Sequence, residues 1–265
     1  MVRTDCSNKL IEANTYEDVD KVMNRLDRLK EYKGLFESLR ISQLNKYHKY
    51  NIRDHIIYTV LGVEKDFELR WAALLHDIGK RDSMTIDSHG CGHFIGHPLI
   101  SRKMSESILK ELRRELKFSK ETYNEILTLI ELHDSLNYTQ AKSIKYSRLR
   151  QFISENGLNT TYKILKLKRA DTNAQSELSL SIKRQLESIL IERIIQIEKD
   201  GTAFKESDLA INRQDLIKLG IKKDNLDKVV HVLLRNIWGE PKNNNYTTLE
   251  NIAKQYNKVV RNVQL

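Results

Sequence analysis

The stretch Arg70-Trp-Ala-Ala-Leu-Leu-His76-Asp77-Ile-Gly79-Lys80 decides the fold and directs the search for function. Its apolar residues fall at helical spacing, which predicts a core helix that carries a His-Asp doublet before Gly79 breaks it. Burying a charge without a partner is too costly, so the doublet needs an ion pair, a hydrogen-bond network or a metal. The stretch therefore predicts a buried polar site at the end of a core helix.

The composition limits the class of protein. The 265 residues include two prolines and ten glycines, which predicts an all-α protein with short connections. The two cysteines, Cys6 and Cys91, form no disulfide framework and suit a reducing compartment. The chain starts without a secretory apolar segment and has no apolar run of about 18 residues. We therefore expect a cytoplasmic protein with no membrane partner.

Helical periodicity divides the chain into three parts. Residues 1–46 predict N-terminal helices that pack on the core, with a break at Gly34 between an amphipathic helix and a second helix. Residues 47–200 hold the helices around the doublet, and the last of these is predicted over residues 175–199. Residues 201–265 predict a small helical C-terminal extension, and residues 81–96, rich in glycine, predict a loop.

The positive charge is concentrated in the second half of the chain. The net charge is +9, and residues 1–139 carry 22 basic and 22 acidic side chains. Residues 140–265 carry 23 basic and 14 acidic side chains and supply the whole excess. A basic half beside a neutral half suggests a polyanionic partner, although lysine-rich helix faces that are simply solvated would give the same count.

Four residues from three predicted helices have the chemistry of a metal site. Facing helices must supply such ligands, because neighbours on one helix diverge by about 100°. A mixed set of imidazoles and carboxylates suits Mn, Fe(II), Co, Ni or Zn better than Ca, with Mg as a further option. Such a metal promotes ionisation of water near neutral pH, which suits attack on phosphorus. The predicted ligands are His55, His76, Asp77 and Asp171.

A second cluster lies between residues 89 and 97. His93 and His97 are four residues apart, and the nearby glycines let the backbone approach a ligand closely. One interpretation is a second metal site with His133 as a further ligand, and another is a phosphate-binding loop closed by protonated histidines. A zinc knot with Cys91 is disfavoured by the short spacing. The alternative is a polar lid with one functional histidine.

Two basic residues next to the predicted ligands are candidates for phosphate binding. Lys80 follows the doublet and can reach a phosphate oxygen, or it can stabilise the dipole at a helix C-terminus. Arg169 directly precedes Ala170-Asp171 and is a candidate of the same kind. The residues expected to act in catalysis are Asp77, Lys80, His93 and His97.

The string Ala-Leu-Leu-His76-Asp77-Ile-Gly-Lys80 resembles the core signature of the HD superfamily of metal-dependent phosphohydrolases. A closer resemblance is to the HD domain of bacterial tRNA nucleotidyltransferases (CCA-adding enzymes), and residues 208–221 resemble the C-terminal region of that family. The nucleotidyltransferase head, with its Gly-Ser and paired aspartates, has no counterpart in this sequence. The motifs that carry the closer resemblance are Tyr47-His48 with His55, the doublet, His93-Phe-Ile-Gly-His97 with Ser101, His133-Asp134, and Arg169-Ala-Asp171 with Ala174-Gln175.

The resemblance implies an HD-domain helical bundle in which His55, His76, Asp77 and Asp171 ligate the metal. It also implies a stand-alone phosphatase or phosphodiesterase that acts on 2′,3′-cyclic or terminal phosphates of RNA or nucleotides, without polymerisation. Two alternatives stay open: an HD hydrolase of free nucleotides or cyclic signalling oligonucleotides, and a non-catalytic RNA-binding module. The expected partners are RNA, tRNA included, and nucleotide phosphates, while the sequence leaves the oligomeric state open.

Overall fold

A computed structural model describes residues 2–177 and 180–263, with side chains as far as residue 259. The chain forms two compact units, one of Met1–Asn137 with Tyr162–Gln185 and one of Tyr138–Thr161 with Leu186–Leu265. The division at residues 46 and 200 stays a prediction. Leu178, which belongs to the helix predicted over residues 175–199, lies outside the described residues.

Helices form almost all of the regular structure, and a single short hairpin completes it in the described ranges. The hairpin pairs β1 (Thr85–Ile86) with β2 (Gly92–His93). The helices are α1 (Val2–Glu12), α2 (Tyr16–Leu26), α3 (Ile52–Gly62), α4 (Phe67–Leu75), the one-turn α5 (Lys80–Ser83), α6 (His97–Leu116), α7 (Lys120–Leu132), α8 (Tyr146–Asn156), α9 (Leu158–Asn173), α10 (Leu180–Lys199), α11 (Arg213–Lys218), α12 (Leu226–Gly239) and α13 (Tyr246–Val263).

Helix α4 is the centre of the first unit. It begins where the Asp66 carboxylate accepts the backbone N–H of Leu69, and every residue from Leu69 to Leu75 is buried. A helix that is apolar on all sides must be covered on all sides. Helices α1, α3, α6 and α7 all pack against α4. The end of α4, and the doublet that follows it, therefore lie in the interior of the unit.

Two close backbone approaches hold neighbouring elements beside α4. A Cβ on Gly62 at the end of α3 would lie 3.0 Å from Cβ of Ala170, so α3 and α9 are in direct contact. A Cβ on Gly79 would lie 2.6 Å from the Ser101 backbone nitrogen, and the Gly79 N–H donates to Ser101 Oγ at 2.9 Å. Glycine at position 79 therefore allows the turn after the doublet to touch the first turns of α6.

Two predicted segments differ from the structure. The second helix expected after Gly34 is absent, and a one-turn 3₁₀ helix over Glu37–Leu39 follows a series of turns. The Asp27 carboxylate accepts the N–H groups of both Phe36 and Glu37 at 2.8 Å, which favours a closed loop over a continuous helix. The loop predicted over residues 81–96 instead includes most of α5 and the whole hairpin, and the Gly92 N–H anchors the hairpin by donating to Leu44 O at 2.9 Å.

The second unit has its own apolar core. Helix α12 packs against α8 and α13. Inward-facing residues of α12 include Val229, Leu233 and Ile237, and Leu249 and Ala253 meet them from α13. Arg150 on α8 is buried, and its guanidinium donates to Trp238 O at 3.0 Å and to Asp200 Oδ2 at 2.9 Å. This unit is therefore a small helical module in which the buried Arg150 joins α8 to the end of α12.

Within residues 2–177 and 180–263, every helix is too short or too polar to cross a lipid bilayer.

Candidate metal centre

The His-Asp doublet lies immediately after α4, and its aspartate, Asp77, lines a cavity in the first unit. His76 caps the C-terminus of α4, and its Nδ1 donates to Ala73 O at 2.8 Å. Both residues of the doublet are buried, with exposed fractions of 0% for His76 and 1% for Asp77. The core helix therefore presents an imidazole and a carboxylate side by side in the interior, as the sequence predicts.

Four side chains from three helical segments, Asp77 among them, form one buried cluster. Asp77 Oδ2 lies 3.2 Å from His76 Nε2 and 3.3 Å from His55 Nε2. Asp171 Oδ1, near the end of α9, lies 3.0 Å from His55 Nε2. The four possible ligand atoms are all within 4.8 Å of one another. The structure thus brings together the complete set predicted from the sequence.

A second group of side chains faces the other oxygen of Asp77. His97, the first residue of α6, places Nε2 3.1 Å from Asp77 Oδ1. His133, which caps the C-terminus of α7, places Nε2 3.7 Å from the same oxygen. The two histidine Nε2 atoms are 3.2 Å apart. Asp77 therefore lies between two clusters and offers one oxygen to each of them.

The same hydrogen bond orients each of the four buried histidines. In each ring the Nδ1 donates to a backbone carbonyl, so Nε2 keeps its lone pair and faces the centre. Three of these carbonyls lie three residues before the histidine, which is a geometry that a helix end or turn provides. The four donor–acceptor pairs are His55 to Ala174 O at 3.3 Å, His76 to Ala73 O at 2.8 Å, His97 to Phe94 O at 2.8 Å and His133 to Ile130 O at 2.7 Å.

The residues present fit a divalent cation. Three buried atoms make no hydrogen bond of acceptable geometry: His55 Nε2, His76 Nε2 and Asp77 Oδ2. The two nitrogens nevertheless lie 3.3 and 3.2 Å from the Asp77 oxygen. Lone pairs that converge in the interior repel one another unless a positive charge lies among them. The facing Nε2 atoms of His97 and His133 pose the same problem. A mixed nitrogen and oxygen set of this kind suits a transition-metal ion.

The pKa shifts of Asp77 and His133 favour the forms of these two residues that bind metals. Burial alone would raise the pKa of Asp77, but His76 and Lys80 hold that pKa well below its usual range. Burial, followed by the neighbouring His76, lowers the pKa of His133 to about 3. The carboxylates are therefore ionised and His133 is neutral, which are the forms that bind metals.

Two lysines, Lys80 and Lys168, line the same cavity as Asp77. The cavity has a volume of about 470 Å³. Lys80 is buried, and its Nζ lies 2.6 Å from Asp77 Oδ2 and 3.0 Å from Gln43 Oε1. Lys168 contacts Asp134 and lies 3.6 Å from Asp171 Oδ2. Both ammonium groups can therefore meet a phosphate that enters the cavity.

The structure places Arg169 on the exposed face of α9, away from the cavity lining. Positions 168 and 171 are three apart on a helix and share a face, whereas position 169 lies roughly 200° around the axis from Asp171. Sequence reasoning selected Arg169 and missed Lys168. Helical spacing on α9 was the signal that could have identified the lysine.

His93 lies at the cavity mouth but apart from both buried clusters. It is exposed, and its Nε2 lies 2.8 Å from Asp87 Oδ2. His97 and His133, which the sequence grouped with His93, meet at Asp77 instead. His48 also lines the cavity, with its Nδ1 bonded to Asn45 Oδ1 at 2.8 Å. In the sequence, His48 is part of the Tyr47-His48 motif, and no role was predicted for it.

Comparison with known proteins identifies the family. The family model for the HD domain matches residues 38–180, more than half of the chain, and the chain belongs to this family. HD domains are generally metal-dependent hydrolases that bind divalent metals. The predicted all-α HD-domain bundle is confirmed. Searches of the curated proteins and of the solved structures give no match.

Proposed function

We propose that this protein is a metal-dependent phosphohydrolase that cleaves 2′,3′-cyclic or terminal phosphates of RNA or nucleotides. The observation that carries the proposal is Asp77, whose two oxygens face two separate sets of buried imidazoles. A carboxylate in this position suits two cations side by side, an arrangement common in enzymes that act on phosphate esters. Lys80 and Lys168 lie in the same cavity.

The chain offers ligands for one or two cations. His55, His76, Asp77 and Asp171 would hold the first, and Asp77 with His97 and His133 would hold the second. When bound, such cations polarise phosphoryl oxygens and promote ionisation of water. The donor set fits Mn, Fe(II), Co, Ni or Zn, with Mg as a further option.

The protein's own residues would bind and orient the phosphate. Lys80 and Lys168 supply ammonium donors for its oxygens, and such fixed charges stabilise the charge that develops in phosphoryl transfer. Gln43 holds the Lys80 ammonium at 3.0 Å, and Asp134 holds that of Lys168. Substrate binding therefore uses side chains whose positions are already fixed.

Two features support RNA as the polyanion. The surplus positive charge lies in residues 140–265. In the first unit, a cleft near the end of α6 combines basic and aromatic side chains, a combination that suits a single-stranded nucleic acid. The resemblance to the HD domain of CCA-adding enzymes makes tRNA ends a candidate substrate. The cleft residues are Lys110, Arg113, Arg114, Lys117, Phe118 and Tyr123.

A second candidate function is hydrolysis of free nucleotides. Phe94, Ile95 and Pro98 form an apolar wall at the cavity mouth, and the side chain of Ile95 is 86% exposed. Such a wall could receive a nucleobase. A non-catalytic RNA-binding module is disfavoured, because RNA binding alone does not require the buried set of imidazoles and carboxylates.

Hydrolysis assays on a panel of substrates test the proposal. The panel contains the four 2′,3′-cyclic nucleotides, an RNA oligomer with a 2′,3′-cyclic end, 5′-deoxynucleotides and cyclic dinucleotides, each with Mn, Co, Ni, Zn or Mg. We expect ring opening of all four cyclic nucleotides and of the RNA end, and no reaction with Asp77→Asn. Activity confined to 5′-deoxynucleotides or to one base would replace the RNA-end assignment with the free-nucleotide one.

A further inference from the structure

The hairpin at the cavity mouth carries a second kind of ligand cluster, separate from the buried centre. Strands β1 and β2 pair Thr85 with His93 and Ile86 with Gly92. Between them the backbone turns at Asp87, whose N–H donates to Cys91 O at 3.0 Å and whose carbonyl accepts the Gly90 N–H at 3.0 Å. The turn brings Asp87, Cys91 and His93 to the same end of the hairpin, and their ligand atoms lie within 4.8 Å of one another.

Backbone hydrogen bonds fix the carboxylate of this cluster. Asp87 Oδ1 accepts the N–H groups of His89 and Cys91 at 2.9 and 3.0 Å. The other oxygen, Oδ2, is thereby aimed at His93 Nε2, which lies 2.8 Å away. Two of the three donors are therefore adjacent before any ion binds, and the Cys91 thiol is the third.

The hairpin itself is anchored to the first unit. The Gly92 N–H donates to Leu44 O at 2.9 Å, and a Cβ on Gly92 would lie 2.4 Å from Gln43 O. The neighbouring residues Cys91 and His93 therefore extend from a backbone that packs directly against residues 43–44. Preorganisation of this kind lowers the cost of gathering ligands around an ion.

We propose that the hairpin binds a zinc-like divalent cation through the Asp87 carboxylate, the Cys91 thiolate and the His93 imidazole. Sulfur, nitrogen and oxygen donors together suit Zn²⁺, with bond lengths of about 2.3 Å to sulfur and about 2.0–2.1 Å to nitrogen. Binding displaces the thiol proton of Cys91 and any proton on His93 Nε2 to the solvent. Water can occupy the remaining position, because Asp87 and His93 are exposed.

This site shares no residue with the buried clusters around Asp77. Sequence spacing grouped His93 with His97 and left Cys91 without a suitable set of partners. The hairpin supplies the missing partner, Asp87, which lies four residues before Cys91. His93 also lines the catalytic cavity, so an ion on the hairpin would fix one part of the cavity mouth.

Titration with Co²⁺ under reducing conditions tests this site separately from the buried one. A thiolate bound to Co²⁺ gives a near-ultraviolet charge-transfer band, and the buried clusters contain no cysteine. We expect this band in the native protein and in His76→Ala, in which the buried centre is damaged. Cys6→Ser is the matched control and should retain the band, whereas Cys91→Ser should abolish it.

Two further variants test whether Asp87 and His93 bind the ion together with Cys91, or whether the Cys91 thiolate binds it alone. Asp87→Asn and His93→Gln should each weaken Co²⁺ binding at this band by about tenfold or more. Unchanged affinity in either variant would overturn the three-ligand site. Absence of the band when Co²⁺ saturates the native protein, or its survival in Cys91→Ser, would also overturn the proposal.

Discussion

At the scale of single residues, Asp77 and the four buried histidines form the candidate metal centre. Each imidazole is fixed by its Nδ1 hydrogen bond, so all four Nε2 lone pairs are available to a cation. Protons and metal ions compete for the same lone pairs. The affinity for metal should therefore depend on the pKa values of these rings.

The first prediction is that metal affinity falls as the pH decreases toward mildly acidic values. Burial lowers the pKa of His55, but the carboxylates of Asp171 and Asp77, 3.0 and 3.3 Å from its Nε2, outweigh that effect, and the pKa is raised above its ordinary value of 6.5. A raised pKa favours the protonated ring in the metal-free protein, so proton competition begins at a pH above that value. Calorimetric titration with Mn²⁺ across this range measures the effect. Affinity that does not change with pH would contradict it.

The second prediction separates two adjacent basic residues on α9. Lys168→Met should lower kcat/KM about 10- to 100-fold, because Lys168 faces the cavity and contacts Asp134 and Asp171. Arg169→Met is the matched control and should change it little, because Arg169 is exposed and does not line the cavity. Steady-state kinetics on a 2′,3′-cyclic nucleotide measures both. Equal losses in the two variants would count against a specific role for Lys168.

Sequence reasoning named the four residues that the structure brings together, but not all of their neighbours. His55, His76, Asp77 and Asp171 could be predicted, because each follows or lies within a strongly periodic helix in a characteristic order. The partner of His93 could not be predicted, because the pairing of β1 with β2 decides that Asp87 faces it. Short strands of two residues leave no periodic signal.

At the scale of secondary structure, helix ends position the centre. His76 and His133 cap the C-termini of α4 and α7, and His97 opens α6. The long periodic helices could be predicted from sequence, including α6 with Pro98 in its first turn. The irregular segment over residues 27–39 could not, because the Asp27 carboxylate closes it by accepting the backbone N–H groups of Phe36 and Glu37, a contact that apolar spacing does not show.

The third prediction concerns the contact between the doublet turn and α6. Gly79→Ala would place a Cβ 2.6 Å from the Ser101 nitrogen and 2.9 Å from His97 O, which forces α6 to move. We expect a loss of stability of about 1–3 kcal/mol and reduced metal content, because His97 shifts away from Asp77. Urea unfolding and metal analysis measure both effects.

The matched control for this substitution is Gly239→Ala, at the end of α12. Among the residues that the structure describes, none lies within 4 Å of a Cβ built on Gly239, so the change should cost little stability and leave the metal content intact. If Gly79→Ala behaved like Gly239→Ala, the backbone contact would not position His97.

At the scale of the whole molecule, the surplus positive charge is the feature on which the proposed binding of RNA depends. The fourth prediction is that RNA binding weakens with salt, with a slope of about −0.7 per phosphate contact in log K against log salt. Replacing Lys110 and Lys117 of the cleft by Gln should make this slope less steep. The same change at Lys222 and Lys223 should have the same effect. Fluorescence anisotropy with a single-stranded RNA at several salt concentrations measures it.

The control for the salt dependence removes the same charge elsewhere. Lys30→Gln with Lys33→Gln changes two exposed lysines that lie outside the cleft and outside the basic half. If the cleft pair and the C-terminal pair both matched this control, then direct phosphate contacts in those regions would be ruled out.

The metal content and turnover of one Asp77→Ala preparation test the central claim most directly. Because Asp77 offers an oxygen to each cluster, its removal should lower bound metal more than His133→Ala does, and should abolish nearly all hydrolysis. His76→Ala should also lose most bound metal and turnover. Asp82→Ala, which removes an exposed carboxylate paired with Arg81, should leave both measurements unchanged. Full turnover by Asp77→Ala at unchanged metal content would contradict the account.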